Sequence, residues 1–230
     1  MATSPSSPTS PTSPLAVVRE GLLTLLAPPR CLACRRRGRT PWCAPCRSEV
    51  RTQPPGCPRC AAPRGGVHAC WPGAAPIDAT VAAYDYRGEV AAAIATAKLA
   101  GAHAGWAGLT EALVARLRTV APEVDVVTWI TTPPGRVRQR GTDHAACIAR
   151  EVARGLGLPI LPLLDARPRP RRGDTYRARH HLPATDVLLV DDILTTGATA
   201  WGAATALRRA GAGTVHLAVL ARAGTHPLGA

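Results

Sequence analysis

The sequence predicts an α/β protein with a doubly wound, mostly parallel sheet, preceded by a small cysteine-rich module. Three observations carry that expectation. Strand-like and helix-like segments alternate from about residue 77 onward, as βαβ units require. Residues 124–130 and 186–190 are continuous runs rich in Val, Ile and Leu, which mark strands covered on both faces. Seven of the eight Cys fall within residues 31–76, where apolar side chains are few.

Read in order, residues 1–14 repeat Ser, Thr and Pro without apolar periodicity and are expected to be disordered. Residues 15–26 place Leu15, Val18, Leu22, Leu25 and Leu26 at helical spacing, and Pro28 and Pro29 stop that helix. Residues 15–76 are read as this helix plus the Cys-rich module, and residues 77–230 as the α/β domain. Within the latter, 80–86 reads as a strand and 89–99 and 106–120 as helices. Residues 124–130 form the next strand, and 142–156 a helix ending at Gly155 and Gly157. A strand over 158–164 is weakened by Pro159 and Pro162. Residues 165–183 read as an Arg- and Pro-rich loop. Strand 186–190, helix 198–210 closed by Gly211, and strand 214–221 complete the chain.

Composition narrows the chemistry. Aromatics make up 3% and Phe is absent, so the core is built from Ala, Val, Leu and Ile. The formal net charge is +13, and Lys98 is the sole Lys among 28 basic residues. Arg offers forked, permanently charged donors suited to phosphate and carboxylate. No stretch is apolar enough to span a membrane, and residues 1–14 lack the charged start of a secretory signal. A cytoplasmic location follows as the expectation. There, eight Cys point to metal ligands and thiols rather than disulfides.

Cys31-x-x-Cys34, Cys43-x-x-Cys46 and Cys57-x-x-Cys60 are three CxxC knuckles. Each offers two thiolates to one tetrahedral Zn²⁺, and two knuckles close a structural site with no open coordination position. A segment this poor in apolar residues needs such a staple. Cys31, Cys34, Cys43 and Cys46 make one site if pairing is sequential. Cys57 and Cys60 need two more ligands, and His68 and Cys70 lie within reach. A cross-braced pairing satisfies the spacing equally. The module carries nine Arg against Glu49, a formal +8. Two readings of this excess stand: a grip on DNA phosphates, or solvation of a small domain.

Residues 187–200 read VLLVDDILTTGATA. A buried strand aims the segment, and Asp191 and Asp192 follow at its carboxyl end, where open α/β sheets place ligands. Two adjacent acids there suit the vicinal hydroxyls of a ribose. Thr195, Thr196, Gly197, Ala198 and Thr199 then turn into a helix, presenting backbone N–H groups, hydroxyls and a helix N-terminus to an anion. Acids for a sugar beside donors for a phosphate describe a ribose 5-phosphate site.

This segment resembles the signature of type I phosphoribosyltransferases over all fourteen residues. Cys knuckles first, an α/β region next and VDDILTTGAT near the end resemble the ComF family, some of whose members are linked to DNA uptake during competence. Residues 129–145, WITTPPGRVRQRGTDHA, are similar to that family's Pro/Thr turn, Arg run and R-G-F-[ND]-Q stretch. The resemblance implies a type I phosphoribosyltransferase-like fold behind a zinc ribbon. It implies Asp191 and Asp192 on the ribose hydroxyls, residues 195–199 on the 5′-phosphate, and Mg²⁺ arriving with the pyrophosphate. Thr131, Thr132, Arg136 and Arg138 become candidate pyrophosphate contacts. Lys98 falls where the family has a Lys after the first helix, and it reads equally as a snorkelling surface Lys. Departures accompany the likeness. R-G-F-[ND]-Q is here Arg140-Gly141-Thr142-Asp143-His144, and the later Q-x-G-L and R-x-x-N stretches are hardly recognisable in 171–182, where Arg177 and Arg179 are still candidates to reach a pyrophosphate. Three functions share the site: a phosphoribosyl transferase, a nucleic-acid-handling protein, and a ligand sensor.

Overall fold

In the computed structural model, the described residues are 30–37, 41–54, 56–63, 68, 70–100, 103–120, 123–133, 142–171 and 174–224. The expected tail over 1–14, the helix over 15–26, and Arg136 and Arg138 lie outside them. In chain order the elements are α1 (Ala44–Glu49), β1 (Ala79–Asp85), α2 (Gly88–Ala100), α3 (His103–Val120), β2 (Val126–Trp129), α4 (His144–Leu156), β3 (Leu164–Arg171), β4 (Asp174–Ala178), β5 (Val187–Leu194), α5 (Ala198–Arg209) and β6 (Val215–Arg222).

Four strands form one sheet in the order β1-β6-β5-β2, and every pair is parallel. The apolar runs explain why these strands are central. On one face Leu188, Val190, Ala218 and Leu220 join a cluster with Ile94 of α2, Leu109 and Leu113 of α3, and Ile148 and Val152 of α4. On the other face Val187, Leu189, Leu217 and Val219 join Ala203, Ala204 and Leu207 of α5. Successive side chains therefore enter opposite layers, as a strand buried on both sides must arrange.

Small residues set how closely the layers approach. A Cβ on Gly155 would lie 2.7 Å from Cγ1 of Val114, so α4 packs on α3 only with glycine there. Gly157 closes α4 in the left-handed conformation, φ 71°.

Three expectations need correction. Residues 158–163 form no strand; Ile160 alone bridges Val127, flanked by hydrogen bonds from the Val127 N–H to Pro159 and from the Leu161 N–H to Val127. Pro159 and Pro162 have no N–H with which to extend that pairing. Residues 165–183 are not simply a loop: β3 and β4 form an antiparallel hairpin, with Leu164 opposite Ala178 and a register irregularity between Ala166 and Arg171. Pro168 and Pro170 fall in that irregular stretch, where an edge strand tolerates them. The strand carrying Asp191 and Asp192 does not end before them. It continues to Leu194, held by β6 through the pair Leu194 and Arg222.

The Cys-rich module lies along the sheet edge. Thr52 bridges Tyr84 in antiparallel fashion, Gln53 N–H donates to Ala83 (2.8 Å), and Thr80 N–H donates to Pro58 (2.9 Å). These contacts cover the otherwise open edge of β1. The module also wraps both faces. Leu32, Trp42 and Cys46 enter the cluster of α2, α3 and α4, whereas Cys60, Ala62 and Trp71 enter that of α5. No helix among the described residues is long and apolar enough to cross a membrane.

Candidate functional site

From β2 the chain passes through α4 to the Ile160 segment on the outer side of the sheet, while from β5 it passes through α5 to β6 on the inner side. The connections thus part between β2 and β5. A crevice opens outside the carboxyl ends of strands at such a point, and ligands of open α/β sheets bind there.

The β5 wall comes from a continuous segment. Asp191 and Asp192 lie in the last half of β5 and are partly buried. Thr195, Thr196, Ala198 and Thr199 are exposed around a buried Gly197. Gly197 is the N-cap of α5 at φ 78°, a left-handed conformation that other residues adopt with strain. The segment therefore turns sharply enough to present Thr195–Thr199 and the start of α5 to the crevice.

The acids interact before any ligand arrives. Asp191 Oδ1 accepts the N–H of Asp192 (2.9 Å). Lys98 Nζ of α2 lies 2.7 Å from Asp192 Oδ2. Desolvation raises the Asp191 pKa well above its ordinary value, and the adjacent Asp192 charge raises it further. Lys98 opposes this, and Asp143 adds to it. Among the described residues, two adjacent acids thus sit beside one cation, Lys98, an arrangement that a divalent metal or a donor-rich ligand would relieve.

The β2 wall is assembled from distant residues. Ile130 N–H continues the sheet to Val190 (3.0 Å), and Thr131 and Thr132 follow. Thr131 Oγ1 donates to the Leu164 carbonyl (2.8 Å) at the base of the hairpin. Asp143 stands at the N-cap of α4 but does not cap it with its side chain. Its carboxylate instead accepts Trp129 Nε1–H (3.2 Å), the Thr132 N–H (3.3 Å) and the Thr132 hydroxyl (3.3 Å). Sequence reasoning singled out Thr131 and Thr132 but missed Asp143 as the residue that fixes their turn. An Asp just before a helix is a signal for the N-cap, and here the side chain faces the neighbouring turn.

Two other candidates are engaged on the hairpin. Arg179 pairs with Asp165 across the hairpin (2.5 Å). Arg177 lines a cavity of about 250 Å³ with Arg167, Thr205 and Arg209, against the later turns of α5.

The Cys residues converge as two tetrads. One ligand atom from each of Cys31, Cys34, Cys43 and Cys46, and from each of Cys57, Cys60, His68 and Cys70, lies within 4.8 Å of the others in its group. The pairing is sequential rather than cross-braced, and His68 takes the fourth corner of the second group. Burial opposes ionisation of Cys31, but N–H groups of Cys34, Cys43 and Ala33 outweigh it and lower its pKa to about 6. Cys57 is similarly brought to about 6, with burial opposed chiefly by the Cys60 N–H and His68. Burial pushes Cys46 and Cys60 up to about 12, reinforced by the neighbouring sulfurs. A thiolate beside thiols that resist ionisation is the condition a bound dication reverses. The donor sets fit structural zinc.

Comparison with known proteins agrees with the module. Residues 22–75 match the model of the double zinc ribbon domain. No curated protein matches the chain. Among solved structures, it is similar to the allosteric regulatory enzyme of purine biosynthesis (23% identity, TM-score 0.40), covering 51% of this chain and 25% of that one. It is similar to a purine phosphoribosyltransferase from Pyrococcus horikoshii (24%, TM-score 0.36; 50% and 69% covered). A hypoxanthine-guanine phosphoribosyl transferase from L. donovani is 13% identical, with TM-score 0.32 and 51% and 65% covered. The chain therefore spans only a quarter of the first of these structures. A zinc-binding module followed by a parallel α/β domain is the architecture of the chain.

Proposed function

We propose that this chain is a ComF-like protein of the type I phosphoribosyltransferase class that binds phosphoribosyl pyrophosphate, or another ribose 5-phosphate ligand, in the crevice between β2 and β5. The observation that carries the reading is the adjacency of the partly buried Asp191–Asp192 pair to the exposed threonines of residues 195–199 at the topological switch point. Asp191 and Asp192 accept from the 2′- and 3′-hydroxyls. Thr195, Thr196, Gly197, Ala198 and Thr199 receive the 5′-phosphate through hydroxyls, N–H groups and the positive end of α5. Thr131 and Thr132 face the pyrophosphate, and Arg136 and Arg138 follow in the same connection. Mg²⁺ enters with the pyrophosphate and offsets its charge. Cys31, Cys34, Cys43 and Cys46 hold one structural zinc, and Cys57, Cys60, His68 and Cys70 the other. The reducing chemistry of these thiols suits the cytoplasm.

Transfer of the ribosyl group to an acceptor would depend on positioning and charge stabilisation, since no described residue stands out as a dedicated acid or base. Binding is therefore the claim. A calorimetric titration with phosphoribosyl pyrophosphate and Mg²⁺ tests it. The intact chain saturates, and the double substitution Asp191→Ala, Asp192→Ala weakens binding by about 100-fold, as expected for two charge-assisted hydrogen-bonding groups. Absence of saturable binding, or a double variant that binds as well as the parent, overturns the reading.

A second reading, contact with DNA, is favoured by the exposure of Arg35, Arg36 and Arg37 on the first knuckle. Its signature is affinity that falls steeply with salt. Binding to duplex DNA that is absent at low salt would exclude it.

A further inference from the structure

Among the described residues, the second Cys tetrad shares a buried cluster with the phosphate-loop helix, whereas the buried Cys of the first belong to the cluster on the other face. Cys60, Ala61, Ala62 and Trp71 are buried in the same cluster as Ala200 and Ala203 of α5, with Cys57, Cys70 and Trp201 packed on its rim. Trp71 directly follows Cys70 and is 2% exposed. Its Nε1–H donates to the Thr80 hydroxyl (3.1 Å), which donates in turn to the Arg59 carbonyl (2.7 Å) inside the Cys57–Cys60 knuckle. Arg59 Nη2 closes the ring by donating to Pro72 (3.0 Å). Trp71 is therefore tied to both turns that supply ligands to this tetrad, directly through the chain at Cys70 and indirectly, through Thr80, to Arg59 of the Cys57–Cys60 knuckle. Its indole meets that of Trp201, with ring centroids 6.1 Å apart and planes inclined by 45°. Trp201 belongs to the first turn of α5, where its N–H donates to the Gly197 carbonyl (2.8 Å).

We propose that zinc in the second tetrad, acting through Trp71, fixes Trp201 and so holds the 195–199 segment in the conformation that receives a 5′-phosphate. Metal occupancy of that tetrad then sets ligand affinity, and Trp201 is a positioning residue rather than a ligand contact. The inference rests on reading 195–199 as the phosphate site. Its physical basis is direct. Metal binding orders the knuckles that carry it. Close-packed side chains transmit a displacement rather than absorb it. The path is one continuous set of contacts between two sites, and coupling across such paths is typically worth about 5- to 150-fold in affinity. Among the described residues the first tetrad shows no such path: Leu32 packs on Gly105 of α3, and Trp42 meets Tyr84 of β1.

The test uses the full chain loaded with zinc and reads three quantities: zinc content, affinity for phosphoribosyl pyrophosphate with Mg²⁺, and amide hydrogen exchange over residues 195–201. Trp201→Ala keeps both zinc ions, weakens binding about tenfold and speeds exchange, on the scale of ordinary coupling energies. Trp201→Phe restores most of both. His68→Ala loses one zinc and loosens the same amides, and combining it with Trp201→Ala adds no further loss, as two substitutions on one path behave. Trp201→Ala with parental affinity and exchange overturns the proposal, as do losses that simply add. If the parent binds no phosphoribosyl pyrophosphate, the functional reading fails on its own. Exchange over 195–201 before and after zinc removal still decides the coupling, and unchanged exchange defeats it.

Discussion

One wall of the crevice is a single run, β5 and the first turn of α5, residues 187–200. The other draws Trp129 and Thr132 from the end of β2 and Asp143 from the start of α4, joined by hydrogen bonds of 3.2–3.3 Å to one carboxylate, with Thr131 tied instead to the Leu164 carbonyl. The first wall owes its shape to backbone conformation: a strand extended to Leu194, a left-handed Gly197, then a helix. The second owes its shape to a side chain that bridges two elements. A wall fixed by backbone fails when one φ is denied to it. A wall fixed by a side chain loosens in proportion to the bonds removed.

Gly197→Val probes that contrast most severely. At φ 78° a β-branched residue is strained, at a cost of roughly 1–2 kcal/mol for the left-handed conformation. If the strain is relieved by reshaping the segment, affinity for phosphoribosyl pyrophosphate falls about tenfold or more, since 1.4 kcal/mol is tenfold. Calorimetry checks the affinity and a thermal melt checks that the fold survives. A parental affinity would show that the left-handed turn is dispensable, and the contrast between the walls would fall with it.

The acids of the first wall give a pH dependence with a definite sign. The Asp191 pKa is raised above its ordinary 3.8 by desolvation and by Asp192. Between 3.8 and the raised value the unfolded chain is ionised while the folded chain keeps its proton, so stability falls as pH rises through that interval. A ligand that brings Mg²⁺ or hydroxyl donors favours the carboxylate and expels the proton. Affinity therefore rises with pH up to the raised pKa, by no more than about tenfold per pH unit for one proton, and is flat above it. Titrations at several pH values read this directly. Lys98→Met removes the cation that opposes the shift and moves the rise to higher pH. An affinity independent of pH throughout the acid range would mean that Asp191 does not meet the ligand.

The difference between the walls also explains what was legible in the sequence. The β5 wall is contiguous, so its acids, threonines and glycine announce themselves together in VLLVDDILTTGATA. Even there, Asp191 and Asp192 were expected after the strand, because pairing to β6 as far as Arg222 is a tertiary fact. The Cys spacing foretold two tetrads, with His68 and Cys70 in reach of the second, and left only their pairing open, which the structure shows to be sequential. The β3–β4 hairpin was hidden by Pro168 and Pro170, which read as breakers in isolation yet fit an irregular edge. Nothing local could reveal that Asp143 turns from its own helix to Thr132, or that Trp71 meets Trp201, since each contact joins segments whose approach the whole sheet determines.

Asp143→Ala is the gentlest probe. It removes the acceptor for Trp129 Nε1, the Thr132 N–H and the Thr132 hydroxyl, three bonds at or just beyond the long end of the normal range. Hydrogen bonds to charged groups contribute about 1.5–3 kcal/mol each when well formed, and bonds this long in a partly open site fall below that. The expected loss is about 1–2 kcal/mol of stability, read as a lowered melting temperature, with affinity reduced only a few-fold. Asp143→Asn keeps a carbonyl oxygen for Thr132 and recovers most of the stability. Because the carboxylate also raises the Asp191 pKa, Asp143→Asn shifts the pH dependence of binding to lower values even as it restores the fold. The two readouts thus move independently, which a purely structural role for Asp143 would not allow.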